Sequence, residues 1–324
     1  MIESFGIVAR SMSIALVLWT ISTAAVGQVL GERVSLPVGK TGGGTEAILG
    51  YLHKVPGSKT ARPAVVLLSD SGGVRPDFLN YYGRLFEQLG LHVLVVDSFG
   101  PRGVQQIVTD QALISSAQMT LDAFGAMKYL ASLSDVDPRK IVVVGHSKGG
   151  IAAWLAAHRN FAPDEKERFA AAIAFYPACV NPYREPRPVT PTLMLLGQKD
   201  EYTGFKACVE LAERSNAAGG QFKAIVYEGA PHGFDGPDHA TGITYNRQGE
   251  NWMDCTIWQE SDGSATLNGK RFPSAISMDL VAEARATCVR RGVSSYTHPE
   301  AKARSRADMV AFLESVLELS KIPR

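Results

Sequence analysis

Six short, nearly continuous apolar runs recur along the chain: Ala64–Leu68 (AVVLL), His92–Val96 (HVLVV), Ile141–Val144 (IVVV), Ala171–Phe175 (AAIAF), Thr192–Leu196 (TLMLL) and Ala224–Tyr227 (AIVY). Runs of this length without alternation are expected of strands covered on both faces. Helical spacing falls between them. Phe78, Leu79, Tyr82, Leu85, Phe86 and Leu89 share one face of a helix over Phe78–Leu89, which Gly90 ends. Leu121, Phe124, Met127, Leu130 and Ala131 mark a second over Ala117–Leu133, and a short small-residue helix spans Ile151–His158. Strand and helix alternating in this way give an α/β fold: a mostly parallel central sheet with helices on both faces. Right-handed crossovers then bring every strand-to-helix loop to one edge of the sheet, where open α/β sheets hold ligands.

Outside this pattern the chain reads in three further parts. Residues 28–46 are polar and Gly-rich and lead into a first edge strand or two. The C-terminal stripe Met309, Phe312, Leu313, Val316 and Leu317 predicts a helix, with Thr297 and Glu300 as a capping box and Pro299 in its first turn. Between the last strand and this helix, Gly236–Ser295 is too long for a simple connection and reads as an insertion, functional or lid-like. No repeat interrupts residues 28–324, which are expected to form one domain, since α/β folds often use about 250 residues as one.

The N-terminus has a different character. Arg10 precedes the apolar run Ser13–Val26, and Ala25 and Gly27 stand at −3 and −1 of a cut before Gln28. Residues 1–27 therefore read as a secretory signal peptide, with an uncleaved anchor or a buried helix as the alternatives. A periplasmic or secreted location follows, with no stable membrane insertion after cleavage. A formal net charge of +1 offers no basic field for nucleic acid and leaves a small or neutral molecule as the expected partner. The cysteines, Cys179, Cys208, Cys255 and Cys288, contain no CxxC pair, which weakens a zinc or redox reading. In an oxidising space they would form two disulfides. Neighbouring parallel strands would bring Cys179 near Cys208, and Cys255 and Cys288 lie together within Gly236–Ser295, so these pairings are expected.

Chemistry concentrates at Gly145-His146-Ser147-Lys148-Gly149-Gly150, set directly between a strand and a helix. That context defines a nucleophile elbow: a tight turn lifts the serine hydroxyl clear of the sheet, and the helix N-terminus behind it favours developing negative charge. A glycine-rich turn with a capping serine would carry the same letters without the chemistry. Serine needs a base and an orienting acid, which in this arrangement follow in the order acid, then histidine. Asp200 lies just beyond Thr192–Leu196, with Glu201 as the competing choice. Of seven histidines, only His232 falls in the loop just after a late strand, Ala224–Tyr227, and after the acid. An oxyanion hole needs the N–H of the residue after the nucleophile, Lys148, and one from the loop Ser69-Asp70-Ser71-Gly72-Gly73, where Ser71 is the expected donor and Gly72 the runner-up. The Asp70 carboxylate would repel an oxyanion and is expected to point away.

With these motifs the chain resembles the dienelactone hydrolase-like branch of the α/β hydrolases. The resemblance rests on Asp97-Ser98-Phe99-Gly100-Pro101-Arg102-Gly103, Gly145-His146-Ser147-Lys148-Gly149-Gly150, Phe175-Tyr176-Pro177, Leu196-Gly197-Gln198-Lys199-Asp200 and Pro231-His232-Gly233-Phe234. It covers roughly residues 45–235 and the C-terminal helix. It implies hydrolysis of esters or lactones by a nucleophile–His–Asp triad, mapping onto Ser147, His232 and Asp200, with no metal and no organic cofactor. The namesake enzymes carry cysteine where Ser147 stands. A peptidase of the same fold ranks lower, since no propeller-like repeats precede the domain, and a non-catalytic binding protein ranks lower still, since the Ser–Asp–His set is complete. Mass spectrometry of protein released by an exporting host should find a mature start near Gln28; an intact Met1 in a soluble cytoplasmic fraction would refute the signal.

Overall fold

A computed structural model describes residues 1, 31–57, 60–161, 167–237 and 242–319. Apart from residue 1, the expected signal peptide lies outside the described residues. Among them, eight strands form the central sheet in the order β1-β2-β4-β3-β5-β6-β7-β8: β1 (Glu32–Gly39), β2 (Thr45–His53), β3 (Arg62–Leu68), β4 (His92–Asp97), β5 (Val136–His146), β6 (Ala171–Phe175), β7 (Thr192–Gly197) and β8 (Phe222–Tyr227). The β1–β2 hairpin is the edge expected of the polar lead-in; β2 pairs antiparallel with β4, and the rest of the sheet is parallel.

The apolar runs are continuous because both faces of the sheet are covered. Val66, Leu68, Val143, Ala174 and Met194 face α2 (Ser116–Ala131), α3 (Lys148–Ala156) and α4 (Lys206–Ala217), in a core centred on the fully buried Trp154. Their neighbours Val65, Leu67, Val144, Ile173 and Leu193 face the other way, against α1 (Pro76–Gln88) and α6 (Pro299–Leu317).

Two expected boundaries move. The helix read from Ile151 starts at Lys148, immediately after the elbow, and Ile151 N–H already donates to Ser147 O at 3.0 Å. Gly149 and Gly150 are poor helix formers and hide this first turn in the sequence. The C-terminal helix is capped not by Thr297 with Glu300 but by His298, whose Nδ1 accepts from Ala301 N–H at 3.2 Å. Pro299 thus becomes the first helical residue, where a missing N–H is harmless. Thr297 instead reaches back to Pro237 O.

Residues 244–295 fold as a unit of their own. An antiparallel ribbon, β9 (Thr244–Asn251) with β13 (Arg290–Ser295), brackets a small three-stranded sheet, β10 (Ile257–Gln259), β11 (Ala265–Leu267) and β12 (Lys270–Phe272), and α5 (Met278–Thr287). Its few apolar residues converge: Ile257, Leu267, Phe272, Leu280 and Ala284 form a core beside the Cys255–Cys288 disulfide. The unit docks on loops of the main sheet, with Glu250 N–H bonding Val108 O and Ile257 N–H bonding Val180 O. A second disulfide joins Cys179, beyond β6, to Cys208 in α4, as the strand order anticipates. Among the described residues no helix is long and apolar enough to cross a membrane.

Unreduced peptide mapping should recover Cys179–Cys208 and Cys255–Cys288, and a Cys179–Cys255 peptide would contradict the fold. Cys179 and Cys208 are 29 positions apart, and replacing both by alanine should lower unfolding free energy by about 3–4 kcal/mol on the chain-entropy account.

Candidate active site

The elbow forms because two glycines admit backbone where side chains could not stand. A Cβ on Gly145 would lie 2.0 Å from Gly149 O, and one on Gly149 would lie 2.5 Å from Ser69 O. The turn is closed by Ser147 N–H donating to Phe175 O (2.9 Å) and Gly149 N–H to Ser69 O (3.1 Å). Ser147 itself takes φ 52° and ψ −111°, outside the regions comfortable for a side-chain-bearing residue. Its hydroxyl sits at the carboxyl edge of the sheet with α3 starting behind it.

Asp200 and His232 arrive from neighbouring loops that are bonded to each other. Beyond β7, Gln198 N–H donates to Tyr227 O and Lys199 N–H to Ala230 O, so the acid loop rides on the histidine loop. The chain returning from residues 244–295 holds the other side, through Tyr296 N–H to His232 O and His298 N–H to Phe234 O. The three side chains then fall in line: Asp200 Oδ2 to His232 Nδ1 is 2.8 Å, and His232 Nε2 to Ser147 Oγ is 3.0 Å. Ionised, Asp200 can only accept, so Nδ1 carries the proton and Nε2 is left to receive one from the serine.

Asp200 also accepts from the N–H groups of Tyr202 and Thr203, both at 2.9 Å, and from Thr203 Oγ at 2.7 Å. Burial pushes this carboxyl up, but the adjacent His232 and these donors outweigh it and hold it below its ordinary range. Glu201, the competing acid, is exposed. Nothing in its own sequence marks Thr203 as a partner; its position three residues after an acid, ready to cap its own turn, is the available signal.

Ser71, Ser147 and Lys148 line one cavity. In the loop after β3, Gly72 N–H is committed to Asp70 Oδ1 (2.6 Å) and Gly73 N–H to Asp70 O (3.1 Å), which removes the runner-up donor. The Asp70 carboxylate turns to Arg75, at 2.9 and 3.2 Å, so its charge is neutralised. Ser71 Oγ bonds the Gln111 amide, which also donates to the Tyr202 hydroxyl. The Lys148 side chain is buried, with Nζ donating to Gln111 O at 2.9 Å, and burial pushes its ammonium down to about 8.

A second buried carboxylate lies behind the first. Asp235 accepts from Tyr176 OH (2.6 Å), Tyr82 OH (2.8 Å) and His146 Nε2 (3.2 Å). His146 stacks on Phe175 and immediately precedes Ser147, so this cluster braces the elbow from the face opposite α3. Burial raises the Asp235 carboxyl, and the His146 ring with the two phenols brings it below its usual value.

A depressed folded-state value means that this group stabilises the fold above the ordinary carboxylate range and loses that contribution as pH falls through its folded value. Asp235→Asn should therefore cost about 2–3 kcal/mol at pH 7. In urea titrations the gap to wild type should narrow below pH ~4, and a gap of constant size from pH 7 to 3 would show that the charge contributes nothing.

The dienelactone hydrolase family profile matches residues 49–261, well over half of the chain. A Klebsiella pneumoniae structure named for the dienelactone hydrolases shares the fold at 18% identity and TM-score 0.50, over 63% of this chain and 88% of that one. The apo form of Thermogutta terrifontis esterase 2 aligns at 24% identity and TM-score 0.48, over 60% of this chain and 82% of that one. No curated protein matches the sequence. With the profile spanning β2 to β10 and the elbow, acid and histidine loops all inside it, the chain belongs to the dienelactone hydrolase family, carboxylic-ester hydrolases of the α/β-hydrolase fold.

Proposed function

We propose that this protein is an exported serine hydrolase that opens carboxylic esters or lactones through an acyl-enzyme. The observation that carries the reading is the unbroken line from Asp200 through His232 to Ser147, at 2.8 and 3.0 Å. Ser147 Oγ attacks the carbonyl carbon while His232 Nε2 takes the hydroxyl proton. The N–H groups of Ser71 and Lys148 stabilise the oxyanion; such donors supply roughly 3–4 kcal/mol each. As the tetrahedral centre collapses, the bond to the alcohol oxygen breaks and His232 returns the proton to it. Water then attacks the acyl-enzyme, passing its proton through the same ring back to Ser147. Asp200 holds the imidazole in the tautomer both steps need.

Export rests on two observations: the N-terminal signal pattern, and two disulfides, which persist in oxidising compartments. A periplasmic or secreted enzyme is the reading that joins them.

Kinetics on p-nitrophenyl esters test the assignment. Ser147→Ala should fold normally and lose at least about 10³-fold in turnover. Asp200→Asn should lose on the order of 10⁴-fold, because the imidazole is left in the wrong tautomer. Glu201→Gln should stay close to wild type. A Ser147→Ala variant with full turnover would overturn the mechanism, and faster cleavage of peptide anilides than of esters would overturn the substrate class.

A further inference from the structure

Two cavities meet at Ser147, and they differ in which side chains of the site they reach. The first, of about 140 Å³, sets Ile151 and Leu155 of α3, Val180 and Ile257 beside polar groups that include Ser115 and Asn181, with Ile276 also on its wall. The second, of about 390 Å³, carries Asp70, Arg75 and Asp77 together with apolar and aromatic side chains such as Phe78, Val108 and Val293. Ser71, Ser147 and Tyr202 border both, but His232 borders only the second.

That asymmetry assigns the halves of the substrate. His232 must hand its proton to the departing alcohol oxygen, so the alcohol has to lie on the side that His232 borders. The acyl chain stays bonded to Ser147 and takes the other side. Resting on the hydrolase reading above, we infer that the first cavity is the acyl site, walled in part by residues 244–295, and that the larger cavity, which carries more charged side chains, holds a hydroxyl-bearing alcohol.

Size makes the assignment quantitative. A volume of about 150 Å³ is enough for benzene, so a first cavity of about 140 Å³ sets the acyl group at about six carbons. The second cavity is nearly three times larger. Its charged and hydroxylated walls sit beside the rings of Tyr176 and Tyr202, which offer flat apolar faces between hydrogen-bonding groups. Such a lining favours a ring that carries hydroxyls over a hydrocarbon of the same shape. After the first step the acyl group stays in the first cavity, the alcohol leaves through the second, and water enters by the path the alcohol vacates.

The test uses two ester ladders and one matched pair. Methyl esters from acetate to decanoate vary the acyl side, and alkyl acetates from methyl to decyl vary the alcohol side. In wild type the acyl ladder should peak near six carbons. Ile276 is partly exposed in the loop before α5, so its replacement should spare the fold. Ile276→Trp should cut kcat/KM on hexanoate about tenfold or more and move the peak toward acetate, leaving the alcohol ladder unchanged. Ile276→Ala should move the peak the other way, which keeps the test sharp if the tryptophan variant fails to fold. In the matched pair, glucose 6-hexanoate should exceed cyclohexylmethyl hexanoate in kcat/KM by about tenfold or more. An alcohol ladder that shifted while the acyl ladder held would reverse the assignment. Preference for the cyclohexylmethyl ester would remove the polar-alcohol half. A wild-type protein inert to every ester would bring down the hydrolase reading itself, whereas an active enzyme whose ladders ignore residue 276 would bring down this assignment alone.

Discussion

Ser147 occupies a backbone conformation that costs a non-glycine residue on the order of 1–3 kcal/mol, and it persists because packing on every side leaves no alternative. Gly145 meets Gly149 across the turn, Gly149 meets the end of β3, and the serine amide is held by the end of β6. The three strands that create this contact, β3, β5 and β6, are adjacent in the middle of the sheet and buried on both faces. A side chain at either glycine would have to part β5 from α3. Placement of the hydroxyl is therefore a property of the sheet's centre rather than of a mobile loop, and the loops after β7 and β8 need only bring Asp200 and His232 to it.

Buried carboxylates do the positioning around that point, each saturated with donors. Asp200 orients the imidazole. Asp235 gathers Tyr82, Tyr176 and His146 behind the elbow. Glu250 is fully buried at the end of β9, accepts from Gln111 N–H at 2.8 Å and Trp252 Nε1–H at 3.3 Å, and pairs with Arg285 at 2.8 Å. Because Gln111 also bonds Ser71, this last carboxylate connects residues 244–295 to the loop bearing the expected oxyanion donor. A buried charge with its donors removed is costly, so each cluster behaves as a unit. The unit formed by residues 244–295 shares in this framework and also borders both cavities at Ser147.

Legibility in the sequence follows the distance over which each feature is encoded. Strands β3 to β7 are readable because burial on both faces leaves continuous apolar runs, and the partly buried edge strand β8 keeps a shorter one. Ser147, Asp200 and His232 are readable as positions because each directly follows such a run, and the structure brings their side chains into line. The start of α3 is hidden by its own glycines, and the His298 cap is hidden because a histidine ring stands in for the usual hydroxyl or carboxylate. The supporting clusters leave no local trace at all: Tyr82 and Asp235 are 153 residues apart, and Gln111 and Glu250 are 139 apart. The small core of residues 244–295 is likewise obscured, since Ile257, Leu267, Phe272 and Leu280 are scattered through polar sequence and meet only in three dimensions.

The central claim is that one serine, activated by one histidine, carries the chemistry. Reaction with a fluorophosphonate followed by intact-mass and peptide analysis tests it most directly, because the reagent requires an activated hydroxyl and needs no knowledge of the natural ester. The account predicts a single adduct per chain, located on Ser147, absent from Ser147→Ala and formed far more slowly in Asp200→Asn. An adduct on a different serine, or an esterase-active protein that remains unlabelled, would contradict it.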